Sequence, residues 1–77
     1  MDKFIVVRIS FRGESELHSV EYKDTFLDAQ RRFYNIVAAD LANSEITYQA
    51  TYIIDSNGLM LESRVFDRRP ALENESE

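Results

Sequence analysis

Only one stretch of this chain has a helical period, and everything on either side of it reads as strand. Thr25 to Ala42, TFLDAQRRFYNIVAADLA, contains no Gly or Pro. Phe26, Ala29, Phe33, Ile36, Val37 and Leu41 fall within one arc when residues are placed at about 100° steps, with Leu27 and Tyr34 on its flank. Asp28, Arg31, Arg32, Asn35 and Ala39 fall on the opposite side. Thr25 is the expected N-cap, with Asp28 three residues on to complete a capping box. Asp24 and Asp28 also suit the positive end of the helix dipole. Asn43 is the expected C-terminal cap, in the left-handed region. Two residues break the apolar arc: Gln30 near its middle and Asp40 at its edge. Both are expected to keep their polar ends in water at the margin of the stripe. The competing reading gives each a polar contact to a strand or partner, with an Arg near the C-terminus as one candidate.

The flanking segments alternate with period two. In residues 3–12, KFIVVRISFR, the side chains of Ile5, Val7, Ile9 and Phe11 share one face, and Phe4, Val6, Arg8, Ser10 and Arg12 share the other. Gly13 to Glu16 reads as a turn, and Leu17 to Lys23 as a weaker strand with His18, Val20 and Tyr22 on one face. After the helix, Ile46 to Asp55 alternates cleanly, placing Ile46, Tyr48, Ala50, Tyr52 and Ile54 opposite Thr47, Gln49, Thr51 and Ile53. Asp55-Ser56-Asn57-Gly58 is the strongest turn signal in the chain, and Asn-Gly between alternating runs marks a hairpin. Leu59 to Asp67 returns, with Met60, Glu62, Arg64 and Phe66 on one face, and Pro70 ends the pattern. The predicted fold is α+β: ββαββ, a four-stranded, mostly antiparallel sheet with one helix packed on one face. Residues 1–69 are expected to form a single domain, and 70–77 a disordered acidic tail. Strand order is left open.

Length makes the uncovered sheet face important. A chain of 77 residues lies near the lower limit for a core that needs no staple, and there is no cysteine to supply one. The helix is expected to cover the Ile5/Val7/Ile9 face, with Tyr48 and Tyr52 beneath it. The other face then carries a mixture of apolar and charged residues. Its candidate interface is Phe4, Val6, Arg8, Arg12, Ile53, Met60, Arg64 and Phe66. A face of that mixture fits docking of a second copy or of a host protein.

Charge narrows the partners. The net charge is −5, but residues 70–77 hold three acids and no base, so residues 1–69 hold 11 acids against 9 bases, a net of −2. That balance argues against a nucleic-acid binder, whose footprint is a basic patch. A weak RNA-binding sheet built on the nine aromatics with Arg8, Arg12 and Arg64 is the remote alternative. Nothing in the sequence approaches a membrane span of roughly 20 apolar residues. The N-terminal MDKFIVVRISF does not match a signal peptide, so a cytoplasmic location in the cell that makes it is expected.

No catalytic, cofactor or metal constellation is read from the residues. His18 is the lone histidine, on a strand beside Val20 and Tyr22, and reads as structural. Both glycines, Gly13 and Gly58, lie in turns, so there is no phosphate-cradling loop. Asp55-Ser56-Asn57-Gly58 opens like a calcium loop, but Leu59-Met60-Leu61 then reads as strand.

The chain resembles a group of short, mostly uncharacterised proteins encoded by gut bacteria and their phages and prophages. The resemblance spans about residues 3–69. It is carried by the helix start at Asp24-Thr25…Ala29, the helix end Ala39-Asp40-Leu41-Ala42, and the hairpin Ile53-Ile54-Asp55-Ser56-Asn57-Gly58 with Glu62. It implies a phage or mobile-element setting, with a host or phage protein as the partner other than a second copy, and offers no catalytic residues to carry over. The expected function is a non-enzymatic, self-associating interaction module, accessory or virion-associated. The alternative is an inhibitor that binds a host defence protein.

Overall fold

The computed structural model describes residues 3–68. In chain order these form β1 (Phe4–Arg12), β2 (Ser15–Lys23), α1 (Phe26–Ala42), β3 (Ile46–Asp55) and β4 (Met60–Asp67). This is the expected ββαββ order. Residues 70–77, read from sequence as a tail, lie outside the described residues. The sheet order is β2-β1-β3-β4, and every neighbouring pair is antiparallel. The two apolar strands β1 and β3 therefore sit in the middle, and the more polar β2 and β4 form the edges.

Each turn has a local cause. Arg12 pairs with Ser15, leaving Gly13-Glu14 as a two-residue hairpin loop with Gly13 at φ 63. A positive φ at the first loop position is the type II′ requirement, and it matches strand twist. The second hairpin is longer than a two-residue Asn-Gly turn. Gly58 N–H donates to the Asp55 carbonyl (3.0 Å), Asp55 N–H donates to the Leu59 carbonyl (3.0 Å), and Gly58 alone takes a positive φ, of 85. The Asp55 carboxylate accepts from the Asn57 and Leu59 N–H groups, each at 2.9 Å, so Asp55 organises the loop.

Thr25 caps α1: its hydroxyl accepts from Asp28 N–H at 3.1 Å. The C-terminus differs from expectation. Asn43 is extended (φ −96, ψ 107), not left-handed. Its side-chain oxygen instead accepts from Glu45 N–H at 2.9 Å. The orphan carbonyls at this end are met from a distance. The Arg68 guanidinium donates to the Leu41 carbonyl (2.6 Å) in the last turn and to that of the cap Asn43 (2.8 Å), and reaches the Ile46 carbonyl at the start of β3 (3.2 Å).

The core overturns the expected facing of the sheet. Val6, Ala29, Phe33, Ile36, Val37 and Ile53 form one buried cluster, with Phe4 and Leu61 packed against it. The helix thus lies on the Phe4/Val6/Ile53 face, and the Ile5/Val7/Ile9 face points away. Full burial of each large side chain here contributes about 1.5–3 kcal/mol. Two bulges adjust the rows. Val6 to Ile53 to Glu62 is in register, but Ile54 pairs with Met60, so Leu61 is the extra residue. Similarly, Phe11 pairs with Tyr48 and Arg12 with Ile46, so Thr47 is extra and Ile46, fully buried, leaves the row of Tyr48.

Candidate interaction surface

Seven of the eight sequence-predicted interface residues lie on the helix side of the sheet, and four of them meet the helix or the core. Val6 and Ile53 are fully buried, and Phe4 packs against the core with its ring 5.7 Å from that of Phe26. The Arg8 guanidinium donates to both Asp40 carboxylate oxygens, at 3.1 and 2.6 Å. Arg12 is exposed beside Glu45 at 3.5 Å. Arg64 and Phe66 pair with Thr51 and Gln49 on the helix side, and Arg68 lies 4.8 Å over the Phe66 ring. Of the eight, Met60 alone pairs into the opposite face, because the bulge at Leu61 shifts its row. The physical reason for the correction is polar complementarity. The helix brings Asp40, Gln30 and Arg32 toward the sheet, and the Val6/Ile53 face offers them partners. Asp40 meets Arg8, Gln30 donates to Glu62 at 3.3 Å, and Arg32 donates to Glu21 at 2.8 Å. The opposite face carries no Lys or Arg in any row, so a carboxylate buried there would go unpaired, at high cost. Asp40 is therefore buried rather than solvated.

This seam has its own electrostatics. Burial pushes the Glu21 carboxyl up, but the hydrogen bond and charge of Arg32, with Lys23, outweigh it and hold the group below its ordinary value. The hydrogen bond from the Tyr34 hydroxyl to Glu62 (3.1 Å), with burial and the Glu62 charge, raises the phenol above its usual range. The Asp24 carboxyl is lowered by its hydrogen bond to Lys3 and by the Lys3 charge. Beneath the C-terminal half of α1 the seam is incompletely satisfied. The Ser10 hydroxyl, the Gln49 amide and the Thr51 hydroxyl are buried with no hydrogen-bond partner.

The uncovered face is the larger finding. Its register forms four rows across β2, β1, β3 and β4. Tyr22, Ile5, Ile54 and Met60 form the first row. Val20, Val7, Tyr52 and Ser63 form the second. His18, Ile9, Ala50 and Val65 form the third. Glu16, Phe11, Tyr48 and Asp67 form the last. The Phe11 and Tyr48 rings meet edge-on at 5.8 Å. The edge residues stand most open: Val20 is 54% exposed, Tyr22 65%, Met60 53% and Val65 53%. No Lys or Arg occurs in any row, and the carboxylates are confined to the two corners of the last. His18 sits on the β2 edge with its imidazole 2.8 Å from Glu16. Tyr48 and Tyr52, expected beneath the helix, are the central aromatics of this open face. The RNA-binding reading loses its basic surround, because Arg8, Arg12 and Arg64 are on the other side.

Among the described residues no group of three or more His, Cys, Asp or Glu is placed to hold a metal ion. Among the same residues no helix is long and apolar enough to cross a membrane. No protein-family model, no curated protein and no solved structure matches the chain.

Proposed function

We propose that this chain is a non-enzymatic protein-interaction module of phage or mobile-element type, working through the sheet face that its helix leaves open. The observation that supports this is the apolar continuity of that face. Ile5, Val7, Ile9, Ala50, Tyr52 and Ile54 occupy the two central strands with no charge among them. Five of these are half-buried and Ala50 is shielded by its neighbours, while the exposed Val20, Tyr22, Met60 and Val65 carry the apolar patch out to both edges; a continuous apolar patch of this kind on a small protein is the mark of a docking site. Its two carboxylates, Glu16 and Asp67, and its histidine, His18, lie on the edge strands toward one end. That distribution matches the anatomy of an interface, with an apolar centre and a polar rim. The phage or mobile-element setting rests on the resemblance carried by the helix start and the Asn57-Gly58 hairpin.

The test is capture with a matched surface variant. Tagged wild-type protein and Val20→Lys/Val65→Lys, which alters two exposed positions of the face, are incubated with host lysate and with purified particles. Bound protein is then read by mass spectrometry. The reading expects a partner, either another copy or a host or particle protein, held by the wild type and lost by the variant. Identical capture by both proteins would overturn it.

A further inference from the structure

We propose that the occupant of the open face is a second copy of this chain, packed sheet against sheet about a two-fold axis. This rests on the reading of that face as the interaction surface. Area favours a second copy. Four strands at about 4.8 Å spacing, and four rows at roughly 7 Å, span on the order of 500 Å² per copy. Two copies together reach the roughly 1,000 Å² that a specific interface needs. The dimension also matches sheet-on-sheet packing, in which two inner faces interdigitate about 10 Å apart.

Charge points the same way. A two-fold pair presents the same patch to itself, so any strong charge on it would meet its like. This face carries none over its first two rows. The carboxylates Glu16 and Asp67 lie together at one end, in the row of Phe11 and Tyr48. A two-fold axis running across the strands lays that row over the partner's first row, Tyr22 to Met60, and keeps the four carboxylates apart. An axis along the strands would instead stack them. The charge layout thus admits a second copy and selects one orientation for it.

Sedimentation equilibrium over a wide range of protein concentration tests the proposal. Three proteins are compared: the wild type, Val20→Lys/Val65→Lys, and Leu27→Lys, which alters an exposed helix residue away from the sheet. Circular dichroism checks that each is folded, and the wild-type concentration series stands whether or not the variants fold. The expected result is a wild-type dimer whose dissociation constant rises about a hundredfold in the double variant and is unchanged in Leu27→Lys. A wild type that stays monomeric at every concentration would overturn the second copy as occupant, while leaving the interaction reading to the capture experiment. A dimer equally strong in the double variant would also overturn the proposal, since it would place the contact between copies on another surface.

Discussion

Arg8 on β1 and Asp40 on α1 form a two-pronged ion pair, 3.1 and 2.6 Å, across the helix–sheet seam, with Asp40 only 2% exposed. The pair fixes which sheet face the helix can cover. A turned sheet would leave Asp40 against aliphatic side chains with no cation in reach. Breaking a buried pair from one side is severe, whereas replacing both members with apolar residues is often neutral. Arg8→Met alone should therefore destabilise the fold by about 3 kcal/mol, and Arg8→Met with Asp40→Leu by less than about 1 kcal/mol. Urea unfolding of the two single variants and the double variant measures the coupling.

Next to this pair, Ser10, Gln49 and Thr51 bury polar atoms that bond to nothing. Removing an unpartnered buried polar group relieves its desolvation and costs no hydrogen bond. Thr51→Val is nearly isosteric and should raise stability, by about 1 kcal/mol. Ser10→Ala should be neutral or mildly stabilising. Thermal unfolding of both variants checks the direction. A clear loss of stability in Thr51→Val would show that its hydroxyl has a partner in solution.

Gly58 closes the second hairpin at φ 85, and a Cβ there would meet nothing within 4 Å. The penalty of Gly58→Ala is therefore backbone strain rather than collision, on the order of 1 kcal/mol. Asp55→Ala removes the acceptor for two loop N–H groups and should cost a similar amount. Chemical unfolding of each variant gives both figures.

Glu21 is the group through which acid acts on the β2–helix contact. Its carboxyl is held below its ordinary value of 4.5 by Arg32 and Lys23, despite the opposing effect of burial. A depressed folded-state value means that the unfolded chain binds the proton more readily. The contribution is present above about pH 4.5 and is lost as pH falls through the folded value. Because Glu21 is partly exposed, the amount is small, about 0.2–1 kcal/mol. An NMR titration of the Glu21 carboxyl should show the midpoint moving upward in Arg32→Met.

Element order and type were legible from period and turn residues alone. The helix of 17 residues, its Thr25 cap and both glycine turns follow from local chemistry. Facing was not legible. In β3, Tyr48, Ala50, Tyr52 and Ile54 make a cleaner apolar row than Gln49, Thr51 and Ile53, so simple patterning puts the helix on the wrong side. The signal for the right side lay in the helix. Gln30 and Asp40 interrupt its apolar arc, and such a helix needs a sheet face holding Arg8 and Glu62. The candidate surface was misplaced for the same reason: seven of its eight residues lie on the helix side, and Met60 escapes through a bulge that periodicity does not reveal. Strand order was also beyond reach, because both hairpins are self-contained and nothing local says which strands meet.

The central claim is that the Val20/Val7/Tyr52 face is open in one copy and closed by another. The chain has no cysteine, so single thiols report on it directly. Val20→Cys, Val6→Cys and Leu27→Cys are labelled with a thiol reagent at low and high protein concentration. The account predicts slow labelling at Val6 throughout and fast, concentration-independent labelling at Leu27. At Val20 it predicts fast labelling when dilute and strong protection when concentrated. Labelling at Val6 as fast as at Val20, or no protection of Val20 at any concentration, would contradict it.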